Sequence, residues 1–140
     1  MKNKLLNCFI NISILIFIFQ INYTFAEELN ITSSNISIDN KTKILILDGD
    51  VKIIDEKNNK LFTDNATYNK TDGIVETTGK TEILTSEGFK ITTSEVKFND
   101  KEKTISSEFP AIIIDKDGNK INVELFNYLI NKNLFFSKGK

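Results

Sequence analysis

The side chains in this chain that can do chemistry are carboxylates, lysines, hydroxyls and amides. Histidine, arginine and tryptophan are absent from the 140 residues, the single cysteine is Cys8, and the single methionine is Met1. Imidazole is the usual general acid and base near neutral pH, and with thiolate it supplies most transition-metal ligands. Beyond the first few residues, thiol, triad and zinc chemistry therefore have no carriers. Two carboxylate arrangements are left to weigh. Asp48-Gly49-Asp50 offers oxygen ligands of the kind calcium takes, and equally describes a solvated turn. Glu82, Glu95 and Glu124 are candidate hydrolase carboxylates, but the alternation of their segments points them to solvent. The expectation is a non-enzymatic protein with no metal and no cofactor.

Charge narrows the partners. The formal net charge is −1, and the chain is more acidic once Lys2 and Lys4 are set aside. A nucleic-acid binder needs a basic stripe and arginine forks, so no nucleic acid is expected. Lys2 and Lys4 precede an apolar run over residues 5–19, and Thr24-Phe25-Ala26 then leads to the acidic pair Glu27-Glu28. A positive start, an apolar middle and small residues before a polar junction describe a secretory signal peptide over residues 1–26, cleaved after Ala26. The alternative is an uncleaved membrane anchor, since residues 5–25 are long enough to cross a bilayer; Asn7, Asn11, Ser13, Gln20 and Asn22 interrupt it. Cys8 lies inside this segment behind Leu5-Leu6-Asn7, which is not a lipidation context. Residues 27–140 are thus read as one exported domain without disulfides.

That domain repeats itself every 30 residues. Units run over residues 31–60, 61–90 and 91–120, with a partial fourth over 121–140. They begin at Ile31, Leu61, Ile91 and Ile121. Their sixth and eighth places hold Ile36 and Ile38, Ala66 and Tyr68, Val96 and Phe98, Phe126 and Tyr128. Place 23 is Ile53, Ile83 and Ile113, and each complete unit ends in Lys60, Lys90 or Lys120.

Within a unit the period is two, the mark of strands. A first strand ends in Ile36-Ser37-Ile38 or its equivalents. Turn residues follow, as in Asp39-Asn40-Lys41-Thr42-Lys43 and Asn69-Lys70-Thr71-Asp72-Gly73. A second strand centres on Leu45, Val75 and Ile105. Gly49 and Gly79 mark a bend or bulge, and a third strand carries Ile53, Ile83 and Ile113. Phe109-Pro110 departs from that glycine pattern, and a proline without an N–H predicts an edge or bulge. Short strands, tight polar turns and no helical period predict an all-β, open-ended antiparallel β-jellyroll built from stacked hairpins. A three-sided parallel solenoid is the structural rival. The last unit is apolar on both faces at Leu125-Phe126, Tyr128-Leu129-Ile130 and Leu134-Phe135-Phe136, guarded only by Lys138 and Lys140. An edge of that kind predicts a cover, a partner strand or a further domain.

The run Ile44-Leu45-Ile46-Leu47-Asp48-Gly49-Asp50-Val51-Lys52-Ile53, followed by Leu61-Phe62-Thr63-Asp64-Asn65-Ala66-Thr67-Tyr68, resembles the OstA-like family of periplasmic lipopolysaccharide-transport proteins. That family comprises LptA, LptC and the N-terminal domain of LptD. The resemblance spans nearly all of residues 31–140 and rests on the order and spacing of the motifs. It implies an outer-membrane-biogenesis protein of the Gram-negative periplasm whose apolar jellyroll interior shields the acyl chains of lipopolysaccharide. It also implies docking by edge-strand pairing to related jellyroll proteins, a homo-oligomer among them. Strand alternation would then line a lipid-binding trough with Ile36, Ile38, Tyr68, Val75, Val96, Phe98, Ile105, Phe126 and Tyr128. A cleaved signal favours an LptA-like bridge, an anchor favours LptC, and the ending in mid-repeat resembles a shortened LptD-like chain. The rival from another class is a structural or adhesive β-repeat protein with a filled core and no lipid cargo.

Overall fold

The computed structural model describes residues 29–138; the targeting segment read over residues 1–26 lies outside them. Among the described residues no helix is long and apolar enough to cross a membrane. Strands are β1 (Asn30–Thr32), β2 (Asn35–Ile38), β3 (Ile44–Ile54), β4 (Lys60–Asn69), β5 (Ile74–Leu84) and β6 (Lys90–Thr93). They continue as β7 (Lys97–Asn99), β8 (Thr104–Ser107), β9 (Ala111–Ile114), β10 (Lys120–Val123), β11 (Leu125–Leu129) and β12 (Leu134–Lys138), with one 3-10 turn at Ile130–Lys132. All described pairings are antiparallel. The parallel solenoid is therefore excluded, and the fold is the open, unclosed jellyroll expected.

Three long strands serve two sheets. The first sheet joins β2, the starts of β3 and β5, the end of β4, then β7, β8, β11 and β12. The second joins β1, the ends of β3 and β5, the start of β4, then β6, β9 and β10. Where β3 passes from one sheet to the other, Asp48 and Val51 are paired with Asn65 and Thr63, leaving Gly49 and Asp50 opposite Asp64 alone. Gly79 and Lys80 of β5 oppose the same Asp64 from the other side. Two residues against one is a β-bulge, which bends the strand and lets it change sheets. In the third unit β8 and β9 are separate strands with Phe109-Pro110 between them, because Pro110 has no N–H to continue the ladder.

The repeat is written into the backbone as well. Left-handed φ angles recur at Lys43, Gly73, Lys103 and Asn133 in one set of turns and at Asn58, Gly88 and Gly118 in the other. At the bulges Gly49 and Gly79 have φ of 76° and 84°, a region that costs an L side chain about 1–2 kcal/mol.

Inside the bend buried hydroxyls stand beside aliphatic side chains such as Leu47 and Val51. Thr77 and Thr81 share a hydrogen bond of 2.8 Å, Thr81 donates to Thr63 at 3.4 Å, and Thr93 and Ser107 are 3.1 Å apart. The Val96 amide donates to the Thr77 hydroxyl at 2.9 Å. Strands that change sheets leave ladder groups unpaired, and buried hydroxyls satisfy them.

Gly79 isolates the backbone effect, since a Cβ built there meets nothing within 4 Å. Gly79→Ala should lower unfolding free energy by about 1–2 kcal/mol through φ alone, read as a lower urea midpoint at unchanged slope. Asn58→Gly, at a φ of 65°, should be neutral or slightly stabilising in the same assay.

Candidate functional site

In an antiparallel ladder directly paired residues share a face, so register alone traces the interior. On the first sheet one row runs Ile38, Leu45, Tyr68, Val75, Phe98, Ile105, Tyr128, Phe135, each paired with the next. On the second sheet the row is Ile31, Ile53, Leu61, Ile83, Ile91, Ile113, Ile121. The two rows meet across the core: Ile53, Leu61 and Ile83 of one and Phe98 and Ile105 of the other line a common cavity, with Asp55, Asn59 and Lys60 at its rim. That cavity has a volume of about 10 Å³, room for about one water. At that point the two rows pack closely against each other.

The nine residues read from sequence as trough-lining behave in two ways. Val75, Val96, Phe98, Ile105, Phe126 and Tyr128 are buried in one core, with Tyr68 packed half-buried against it. Ile36 and Ile38 sit on the inward face, opposite Leu47 and Leu45, but are 52% and 58% exposed. They belong to β2, an edge strand with no strand beyond it among the described residues. At the opposite edge Ile121 is 53% exposed. The apolar interior thus surfaces at both open edges. The second-sheet row was not part of the sequence-read lining, although unit starts and place 23 contain all of it. Alternation shows that such residues are buried, and only pairing shows that they face Phe98 and Ile105.

The side away from the bend is closed by turns. Lys103 Nζ donates to Asp100 at 2.9 Å and reaches Glu56 on the opposite sheet at 3.2 Å. Lys57 Nζ donates to Asn131 Oδ1 at 2.7 Å. The Asp55 carboxylate accepts the Asn59 amide at 2.8 Å and its side-chain NH₂ at 2.7 Å, while Asn59 Oδ1 accepts the Ser86 amide at 2.9 Å. Phe135 stacks on Tyr128 with centroids 4.2 Å apart and meets Phe89 edge-on at 5.0 Å. The Tyr128 hydroxyl donates to Asn133 Oδ1 at 3.1 Å.

Electrostatics follow from this seam. Burial opposes charge on Lys103, but its bonds to Asp100 and Glu56 and their negative charges outweigh that, leaving the ammonium above the ordinary lysine value. Burial, then Glu87 and Asp55, push the Tyr128 phenol up. Glu82 pairs with Lys90 at 2.7 Å, and Asp50 accepts from Ser34 at 3.2 Å beside the bulge. Among the described residues no group of three or more His, Cys, Asp or Glu converges as a metal site.

Comparison with known proteins agrees with this geometry. Residues 12–108 match the family described as "Lipopolysaccharide-assembly, LptC-related". The fold is similar to that of LptH from Pseudomonas aeruginosa, the LptA-homologous periplasmic component of a conserved lipopolysaccharide transport device. That likeness has a TM-score of 0.70 at 15% identity and covers 81% of this chain and 84% of the other. No curated protein matches in sequence.

The seam yields a pH-dependent prediction. A raised folded pKa means that the Lys103 contribution is whole below the unfolded value of 10.5 and fades as pH climbs through the higher folded value. Lys103→Met should cost about 1–2 kcal/mol at pH 7, and its deficit against the parent protein should shrink above that window in denaturant titrations.

Proposed function

Because the chain belongs to the LptC-related lipopolysaccharide-assembly family, we propose that it is a non-enzymatic periplasmic carrier of lipopolysaccharide. The acyl chains of lipid A would lie between the two apolar rows, and the open edges would pair with related jellyroll domains to span the periplasm. The observation that supports this reading is the unbroken pair of rows surfacing at both edges, through Ile38 at one and Ile121 at the other.

Energetics suit a carrier. Moving an acyl chain from water into such an interior is worth roughly 0.8 kcal/mol per CH₂, while moving it from a membrane gains little. The carrier need only keep its cargo dry and can release it. A chain enters only if the rows part, which exchanges apolar contacts within the protein for apolar contacts with the cargo. Docking has a template in β12, whose edge backbone is flanked by the outward-facing Leu134 and Phe136, the latter 54% exposed, and in β1 and β2 at the other edge. Pairing at such edges uses main-chain hydrogen bonds and needs no side-chain code. Lysines are the cations available for lipid phosphates.

Cleavage after Ala26 would free the domain as a soluble bridge, and retention would tether it to the inner membrane. The mass of the exported protein's N-terminal peptide distinguishes the two.

A second reading is favoured by the cavity of about 10 Å³: a structural β-repeat protein of the envelope with a filled core. Photo-crosslinking in cells separates them. With a photoreactive phenylalanine analogue at Phe98 or Tyr128, the carrier should yield lipopolysaccharide adducts that are missing with the probe at Lys101, which is exposed. If the folded, exported protein gives no adduct at either interior site, the filled-core reading replaces it.

A further inference from the structure

The inward row of the first sheet changes character where it reaches the β2 edge. Its first two members, Ile38 and Leu45, form the floor of an open hollow of about 440 Å³, whose other lining residues are Lys43, Lys70 and Thr71. Ile38 is 58% exposed and Leu45 half-buried, whereas Val75 and Phe98 further along the row are buried. The seam bonds of Lys103 and Asn131 close the turns between β7 and β8 and between β11 and β12. The hollow lies instead beside the turns between β2 and β3 and between β4 and β5. Its lining thus passes from aliphatic to cationic as the row runs out, and no carboxylate among the described residues lines it.

The acids of these turns are engaged within them. Asp39 Oδ1 accepts the Lys41 and Thr42 amides at 2.8 and 3.3 Å, and Asp72 Oδ2 accepts the Asn69 side-chain NH₂ at 2.6 Å. Lys41, Lys43 and Lys70 outnumber them, and the next turn, over residues 99–103, adds two lysines and two acids. There Lys101 Nζ donates to the Thr71 carbonyl at 2.6 Å, while Asp100 is taken up by Lys103. The turns of the second sheet, over residues 55–59, 85–89 and 115–119, have the opposite balance, with five carboxylates and two lysines.

We propose that this hollow is the headgroup subsite of the carrier: Lys43 and Lys70 hold a phosphate of lipid A, and the acyl chains run from Ile38 and Leu45 into the interior. The assignment rests on the carrier reading above and adds to it the place and the chemistry of headgroup recognition. An ammonium group is a compact charge on a flexible stem, able to bind phosphate without a guanidinium fork. A free anion would use the lysines and leave Ile38 and Leu45 in water, so the apolar floor selects an anion that carries chains. Ile38 and Leu45 face inward, whereas strand pairing uses backbone groups along the outer edge of β2. A domain docked at this edge can therefore still hold a headgroup.

The test uses the purified full chain with a photoreactive phenylalanine analogue at Phe98, offered lipid A with its phosphates or the same lipid A after phosphatase treatment. The parent chain should capture the phosphorylated lipid about tenfold better. Lys43→Gln with Lys70→Gln should lower that capture to the level of the dephosphorylated lipid and leave capture of the latter unchanged. Lys41→Gln with Lys132→Gln removes two exposed charges outside the lining and should keep the preference. Excess inorganic phosphate should not displace the lipid, since it offers nothing to the floor. Equal capture of the two lipids by the parent chain, a preference that survives Lys43→Gln with Lys70→Gln, its equal loss in the control pair, or displacement by inorganic phosphate would overturn the headgroup site and leave the carrier reading standing. Capture of neither lipid at Phe98 would overturn the carrier reading and the site with it.

Discussion

Everything in this fold depends on keeping two-residue alternation in step across a bend. A slip of one residue in any ladder would turn an apolar row out to water. The bulges prevent this by inserting one extra residue in β3 and in β5, both opposite Asp64, while β4 passes straight through. The inward residues on either side of the corner, Leu47 and Val51 in β3 and Thr77 and Thr81 in β5, remain buried. The two sheets can therefore be cut from the same strands and still face each other. The third unit achieves the same end by breaking at Phe109-Pro110, and Thr93 Oγ1 donates to the Pro110 carbonyl at 3.2 Å across the gap.

The cross-section is graded, and each zone has its own chemistry. Hydroxyls join aliphatic side chains at the bend where the ladder is interrupted, aliphatic and aromatic side chains fill the middle, and charged turns close the far side. Burial of the middle supplies the hydrophobic driving force, at about 25 cal/mol per Å² of apolar surface. The polar zones add little net energy but leave no buried side-chain N or O atom unpartnered among the described residues, and an unpartnered one would cost more than its bond contributes. A flattened barrel bounded by a bend and a seam has only its strand edges open. Function in this architecture is therefore confined to the interior, to the two edges and to the outer faces.

The edges explain an oddity of the last repeat. A terminal strand that is apolar on both faces is a hazard in an isolated domain. Here Phe135 turns inward to stack on Tyr128 and Phe89, while Leu134 and Phe136 turn outward. One face of β12 thus completes the core and the other is left at the surface, beside a backbone without a neighbour. At the other edge β1 and β2 are short, and β2 carries Ile36 and Ile38 in the open.

The amino-acid sequence by itself determined the repeat, the strand identity of each segment, the bulge glycines at Gly49 and Gly79, the break at Pro110 and the absence of histidine and thiol chemistry. These are local properties, set by alternation, turn preference and composition, and they need no knowledge of partners. It also determined that Phe98 and Tyr128 are inward residues, because burial follows from period. Only the tertiary structure decided which rows oppose each other, that Ile36 and Ile38 lie at an open edge, and that Ile53 and Ile83 complete the interior. It alone showed the hydroxyl-lined bend and the Lys103–Glu56 seam, which join residues far apart in the chain. The reason is physical: alternation assigns a side chain to a face, but exposure depends on whether another sheet covers that face, and that depends on where strands end and how far a bend folds them over.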